Sequence, residues 1–134
     1  MSKSAIYTAN SSASTVPVGG TVPLGGTVRR FGCNARQSGD AINLSGGGYY
    51  SIDVSATIAP TAAGSPVLTL LRDGSAVPGA RAAATASAAG DTVCLSFPAM
   101  VRLPQCGCTG ASLSLVITGA ESTVSSVSVR VVKL

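Results

Sequence analysis

A chain of 134 residues is long enough for one domain with a single core, and a composition of 46% hydrophobic and 10% charged residues is too apolar for a disordered chain. The absence of histidine excludes nucleophilic triads and metal sites that are built on imidazole. The net charge of +4 comes from scattered basic residues that do not alternate with aromatic ones, so we expect no nucleic-acid partner.

Neither a leader nor a membrane segment is expected from the sequence. The first residues lead into polar sequence without an apolar stretch, which is unlike a classical signal peptide. Serine, threonine or glycine interrupts every apolar run well before the ~20 residues that span a bilayer. We therefore expect no membrane partner.

The N-terminal part contains a near-duplicate of six residues. Val16–Thr21 reads VPVGGT and Val22–Thr27 reads VPLGGT. Two copies are too few for a solenoid, whereas proline removes a ladder donor and paired glycines permit sharp bends. The pattern predicts that residues 1–26 form an arm or edge segment beside a domain of residues 27–134. This segment is either a surface connection or an arm exchanged with a neighbouring subunit.

In most of the chain, apolar and polar residues alternate with a period of two, which is typical of strands with one wet face. The clearest strand, Tyr50–Ile58, begins after a triple glycine and stops at Pro60. The Ala-rich stretch Ala80–Ala89 lacks an apolar stripe and is interpreted as extended rather than helical. Further strands are predicted at Ser4–Thr8, Thr27–Arg36, Ala41–Leu44, Val67–Arg72, Val93–Phe97, Leu113–Ile117 and Val127–Val131. Eight to ten short strands indicate an all-β sandwich or barrel.

The predicted outer faces of these strands are poor in charge. Most of their residues are serine, threonine and alanine, whereas a soluble domain normally has roughly a quarter of its surface charged. A neutral, small-residue face is suited to burial against identical copies. We therefore expect self-association; the alternative is a monomer with a Ser/Thr-rich surface.

The four cysteines do not form a zinc motif, because paired C-x2-C knuckles are missing. Cys94 lies in a strand pattern and is interpreted as a small buried hydrophobe. Cys106 and Cys108 follow Pro104 in a predicted loop and, with Cys33, are candidates for a disulfide, including one between subunits in an oxidising environment; reduced thiols are the alternative. We expect no metal and no cofactor.

Several short motifs, in this order, give the chain a family resemblance. Gly48–Val54 (GYYSIDV) follows Ala41–Leu44 (AINL), and later come Leu70–Gly74 (LLRDG), Gly90–Val93 (GDTV), Leu113–Ile117 (LSLVI) and a C-terminal strand that ends at Leu134. This series resembles the globular heads of complement and tumour-necrosis-factor-like (TNF-like) proteins over residues 27–134. The resemblance implies a TNF-like jelly roll of ten antiparallel strands and a compact homotrimer.

The resemblance also implies where copies meet. The family buries aromatic or aliphatic residues along its three-fold axis, and the matching positions lie on the Tyr49–Ile58 strand and on the C-terminal strand. Tyr49 and Tyr50 point to opposite faces, so one fits the core and Tyr49 is expected at the interface. The implied interface residues are Tyr49, Ile52, Val54, Val127 and Val129.

These observations favour a structural assembly protein rather than an enzyme. The five carboxylates, Asp40, Asp53, Asp73, Asp91 and Glu121, are widely spaced and suggest no paired acid–base site. Bacterial proteins that the chain resembles form the tips of spore-surface filaments, and related jelly rolls serve as phage capsid decorations or fibre tips. The expected partners are further copies of this chain and a larger capsid, fibre or filament, at the surface of a virion, bacterium or spore. The alternative function is a module at such a tip that recognises a glycan or a receptor.

Overall fold

A computed structural model describes residues 3–103 and 110–134 of the chain. The described residues form eleven strands and no helix, so they contain no helix of the length and apolarity needed to cross a membrane. The strands are β1 (Ala5–Asn10), β2 (Ser14–Val16), β3 (Gly26–Phe31), β4 (Ala35–Ser38), β5 (Ala41–Leu44), β6 (Gly48–Pro60), β7 (Val67–Arg72), β8 (Ser75–Ala83), β9 (Val93–Leu103), β10 (Ala111–Thr118) and β11 (Ser122–Lys133).

The strands make two antiparallel sheets. Sheet A has the order β3-β1-β11-β6-β9, with the short β2 also paired to β11. Sheet B has the order β4-β5-β10-β7-β8. The chain crosses repeatedly between the sheets. In the middle of each sheet, strands that are far apart in sequence pair with each other: β11 with β6 in sheet A, and β10 with β7 in sheet B. The predicted all-β sandwich is thereby confirmed.

The core lies between the two sheets and follows the period of two in the sequence. On β6, the alternating side chains from Tyr50 to Ile58 are fully buried, and Leu113, Leu115 and Ile117 of β10 meet them from sheet B. The intervening side chains of both strands point outward. The same alternation that predicts each strand therefore decides which of its faces is covered by the opposite sheet.

The N-terminal segment is part of the sandwich, which corrects its description as an arm or edge segment beside a domain of residues 27–134. β1 lies inside sheet A between β3 and β11, and Ile6, Val16, Val22 and Leu24 are all buried in the core. Between β2 and β3 the chain also bonds to β10: the Gly19 amide donates to the Ile117 carbonyl over 2.7 Å and the Val22 amide to the Leu115 carbonyl over 2.8 Å. Proline and glycine here allow the crossing from sheet A to sheet B.

Two other expected strands are divided or shortened relative to the prediction. The stretch 27–36 is divided at Gly32, whose φ of 78° turns the chain from β3 in sheet A to β4 in sheet B. The Ala-rich stretch is extended only as far as Ala83, after which Ala86 makes a single bridge to Gly64.

Candidate self-association surface

The outer side chains of sheet A form one continuous surface, which we call the sheet A face. Strand register aligns its side chains in rows across β3, β1, β11, β6 and β9. Its members are Tyr7, Arg29, Phe31, Tyr49, Ser51, Asp53, Ser55, Thr57, Cys94, Ser96, Pro98, Met100, Arg102, Ser126, Ser128, Arg130, Val132 and Leu134.

The centre of the sheet A face consists of small hydroxyl residues. Ser55 on the central strand β6 is paired with Ser128 of β11 on one side and with Ser96 of β9 on the other. These residues line a shallow depression of about 420 Å³, together with Pro98 and the pair Asp53 and Arg130. A floor of short neutral side chains permits close approach of another protein surface, because little side-chain entropy is lost there.

One ion pair crosses this floor. The Arg130 guanidinium of β11 donates to the Asp53 carboxylate of β6, and the two residues are directly opposite in the strand register. Both side chains are about half exposed. The pair neutralises both charges within the face, so the floor presents no net charge to a partner.

An apolar rim, made of Tyr7, Phe31, Tyr49, Met100 and Leu134, occupies one end of the sheet A face. Phe31 is 60% exposed and Met100 57% exposed, which is unusual for large apolar side chains on a soluble domain. The Arg102 guanidinium lies 6.0 Å from the centre of the Tyr49 ring. Five of the seven large hydrophobic residues that are exposed in the described chain belong to this rim, so the apolar exposure is concentrated rather than scattered.

A hydrogen-bonded corner holds the end of the sandwich beneath the rim. The Tyr50 hydroxyl donates to the carbonyl oxygens of Ser45 and Gly46, each over 2.8 Å, and burial raises the pKa of Tyr50 above its usual value. The Asn34 side chain donates to the Ser45 carbonyl over 2.7 Å and accepts from the Ser4 hydroxyl over the same distance. These contacts tie the N-terminal segment, the β3–β4 turn and the start of β6 together.

Most of the implied interface residues do not lie on this surface. Ile52, Val54, Val127 and Val129 are between 0 and 3% exposed and pack in the core between the sheets, so their side chains have no surface left for a neighbouring copy. Their prediction as interface residues is wrong, because an apolar strand face is equally consistent with a core and with an interface. Tyr49 is 51% exposed on the outer face, and Tyr50 is in the core.

Sequence reasoning did not single out Phe31, Met100 and Leu134 as surface residues. The alternation along β9 and the residues around Phe31 contained a signal for two of them. Extension of the β9 alternation beyond Phe97 places Pro98, Met100 and Arg102 outward in phase with Ser96. Phe31 follows two arginines in a strand with no buried position, which is an unusual setting for phenylalanine.

The cysteines show a different distribution from the predicted one. Cys94 is exposed on the sheet A face, with its sulfur 3.9 Å from the Thr57 hydroxyl, rather than buried as expected. Cys33 is exposed in the β3–β4 turn. Cys106 and Cys108 lie outside the described residues, so the disulfide among Cys33, Cys106 and Cys108 stays a prediction.

Four carboxylates have structural partners. Asp53 pairs with Arg130, and Asp73 accepts the Ser112 amide proton over 2.9 Å, which joins the β7–β8 turn to β10. Asp91 accepts from the Ser87 hydroxyl and the Ala88 amide, and Glu121 accepts from the Thr61 hydroxyl. In residues 3–103 and 110–134, no three Asp, Glu or Cys side chains are grouped so that they could hold a metal ion.

Comparison with known proteins gives similarity in structure but not in sequence. No family model matches the sequence, and no curated protein matches it. Murine APRIL superposes with a TM-score of 0.71 at 18% identity, over 98% of this chain and 99% of APRIL. The globular domain of zebrafish complement 1qA gives 0.70 at 8% identity, over 98% of this chain and 97% of that domain.

A viral protein shares the same architecture. Vertex protein P5 of phage PRD1 superposes with a TM-score of 0.59 at 15% identity, over 98% of this chain and 96% of P5. The TNF protein Eiger from S. frugiperda gives a TM-score of 0.66 at 12% identity, over 98% of this chain and 91% of Eiger. The chain therefore has the TNF-like jelly-roll fold that its motifs predict, and within the described residues the fold includes the segment before residue 27.

Proposed function

We propose that the protein is a structural assembly protein, a jelly-roll subunit that forms a homotrimer through the sheet A face and is displayed on a virion or a bacterial surface structure. Such a component would be a capsid decoration or a fibre tip. The observation that carries this proposal is the apolar rim beside a neutral hydroxyl floor on one face of the sandwich. The proposal includes no catalytic step.

Energetics favour burial of the apolar rim and the serine floor over their exposure. Removal of apolar surface from water contributes about 25 cal/mol per Å², and five large side chains of the rim are available for it. The serine floor loses little on burial because each hydroxyl can exchange a water partner for one on the neighbouring copy. None of the large hydrophobic side chains that are exposed in the described residues lies on a strand of sheet B, so this character belongs to sheet A there.

The number of copies and the location are supported by similarity. Three copies are what the resemblance to TNF-like heads implies. Display on a particle is supported by the architecture shared with the vertex protein P5 of PRD1.

A pair of matched substitutions tests the surface. Ser55→Arg places a charge at the centre of the sheet A face, and Ser114→Arg places the same side chain on the central strand β10, facing outward from sheet B. We expect the Ser55→Arg protein to dissociate to monomers and the Ser114→Arg protein to keep its mass in native mass spectrometry. Equal masses for the two variants would contradict the proposed surface.

Recognition of a glycan is the second candidate function. The depression around Ser55 offers hydroxyls and an ion pair to sugar hydroxyls, and the exposed ring of Tyr7 stands beside Arg130 at its border. Replacement of Tyr7 and Tyr49 by alanine, followed by binding to cell-wall glycans, separates the two functions. Binding that is lost in this variant would favour recognition, whereas absent or unchanged binding would favour the structural role.

A further inference from the structure

The edge strand β3 has neither of the two features that block pairing at the other edges of the sandwich, although a bulge at Val28 interrupts its own pairing with β1. β9 at the other edge of sheet A contains Pro98, β8 in sheet B contains Pro78, and β4 is only four residues long. Proline and short length both prevent pairing with a further strand. β3 has six residues without proline, all of them exposed. β4 lies beside the Thr27 end of β3, where the Thr27 hydroxyl donates to the Gln37 side chain. From Val28 to Phe31, the second edge of β3 pairs with no other described strand.

β3 also carries positive charge on both of its sides. Arg29 lies opposite Tyr7 and shares the outer side of sheet A, whereas Arg30 lies opposite the core residue Ile6 and therefore points to the other side. Both arginines are exposed, and the single ion pair among the described residues, between Arg130 and Asp53, uses neither of them. Val28 and Phe31, which flank the arginines, are 52% and 60% exposed.

We propose that β3 accepts an extended segment of a partner protein as an additional strand of sheet A, and that this segment carries two consecutive acidic residues between β-branched or aromatic ones. Main-chain hydrogen bonds to the free edge supply affinity in this kind of recognition, and side chains supply specificity. Consecutive residues of a strand point to opposite faces, so two adjacent carboxylates meet Arg29 and Arg30 on the two sides of the edge. The flanking apolar residues of the segment pack beside Val28 and Phe31.

Charge disfavours a second copy of this chain as the occupant. Antiparallel pairing of two β3 strands in the register centred on the arginines brings Arg29 and Arg30 of one copy against the same arginines of the other, and like charges that are directly opposite destabilise a strand pair. The five acidic residues of the chain include no two neighbours in sequence, so no segment of the chain matches the edge. The partner is a different protein. Arg29 and Phe31 also belong to the sheet A face, so this partner binds where the contact between copies leaves the β3 end of that face uncovered.

A labelled nonapeptide with two central glutamates, flanked on each side by valine and threonine, serves as the probe. We expect fluorescence anisotropy to show saturable binding, and hydrogen–deuterium exchange to show slower exchange of the β3 amides when the peptide is bound. A peptide with two central lysines is expected to bind at least about ten-fold more weakly. A glutamate peptide with alternate N-methylated backbone amides is expected to lose affinity by about the same factor, since it lacks strand donors.

Matched variants of the protein test the same edge. Arg29→Glu combined with Arg30→Glu is expected to weaken binding of the glutamate peptide at least about ten-fold and to favour the lysine peptide. The control combines Arg36→Glu with Arg81→Glu, which reverses two exposed arginines of sheet B, and is expected to change the affinity by less than about two-fold. Both variants change net charge equally, so a general effect of charge affects both alike.

Three results would overturn the inference. One is the absence of binding by the glutamate peptide up to about 1 mM. Another is equal affinity of the N-methylated and unmodified glutamate peptides, which would mean that the arginines attract any polyanion without strand pairing. The third is binding that slows exchange elsewhere and leaves the β3 amides unchanged.

Discussion

At the scale of single residues, neighbouring positions in sequence can have opposite roles. Tyr49 and Tyr50 are adjacent on β6, yet Tyr49 is half exposed on the sheet A face and Tyr50 is fully buried. The strand period separates them, and the environment then determines their chemistry. The Tyr50 hydroxyl is satisfied by two carbonyl oxygens, whereas the Tyr49 ring lies near the Arg102 guanidinium.

Tyr50 gives the protein a dependence of stability on alkaline pH. Burial raises the pKa of Tyr50 in the folded protein, so above about pH 10 the unfolded chain loses this proton first. The free energy of unfolding is therefore expected to be constant with respect to this group below pH 10 and to fall as pH rises through the folded pKa. Denaturant unfolding of the wild type between pH 8 and pH 11 measures the slope.

Tyr50→Phe is expected to reduce this slope and to lower the free energy of unfolding at pH 8 by about 1 kcal/mol, because the two carbonyl acceptors lose their donor. Tyr7→Phe, at an exposed position, is the control and is expected to keep both the slope and the stability. The same pH slope in the wild type and in Tyr50→Phe would show that another group is responsible.

At the scale of strands and turns, the alternation of residues predicted much of the fold. β5 and β7 begin and end where the sequence predicted, because each is a short run of strand-favouring residues with turn residues on both sides. β9 was predicted to end before Pro98 but continues to Leu103, since an edge strand tolerates a proline whose missing donor would face solvent. The interface residues could not be predicted in the same way, because the alternation at Ile52 does not indicate whether its apolar side meets the second sheet or a second copy.

Ile52 distinguishes these two possibilities by experiment. In the Ser55→Arg background, which we expect to be monomeric, Ile52→Ala should lower the free energy of unfolding by about 2–5 kcal/mol, because a cavity opens between the sheets. Ser51→Ala, at the adjacent outward position, should change it by less than about 0.5 kcal/mol. A small effect of Ile52→Ala in the monomer would mean that this side chain does not belong to the core.

The turn between β10 and β11 depends on a glycine. Gly119 has a φ of 84°, and an added Cβ would collide with the Ser65 carbonyl oxygen. Gly74 in the β7–β8 turn has a similar φ of 86° but open space around it.

Both Gly119→Ala and Gly74→Ala therefore incur the backbone strain of about 1–2 kcal/mol, and Gly119→Ala is expected to lose more because of the collision. Thermal unfolding of the two variants compares them directly. A Gly119→Ala protein as stable as Gly74→Ala would mean that the 65–66 segment moves away without cost.

At the scale of the whole molecule, the outer face of sheet A and its edge at β3 have different characters. The sheet A face combines a neutral floor with an apolar rim, whereas the free edge of sheet A at β3 is basic. One surface is suited to copies of the same chain and the other to an acidic strand of a different protein. The two surfaces share Arg29 and Phe31, so a subunit uses both at once only where the contact between copies leaves these two residues uncovered.

The mass of the protein in dilute solution tests the central claim most directly. Native mass spectrometry at micromolar and lower concentrations is expected to show a species with three times the 13.1 kDa mass of the chain, which dissociates in the Ser55→Arg variant. A folded wild-type protein that stays at 13.1 kDa throughout this range, with its apolar rim in contact with water, would contradict the account.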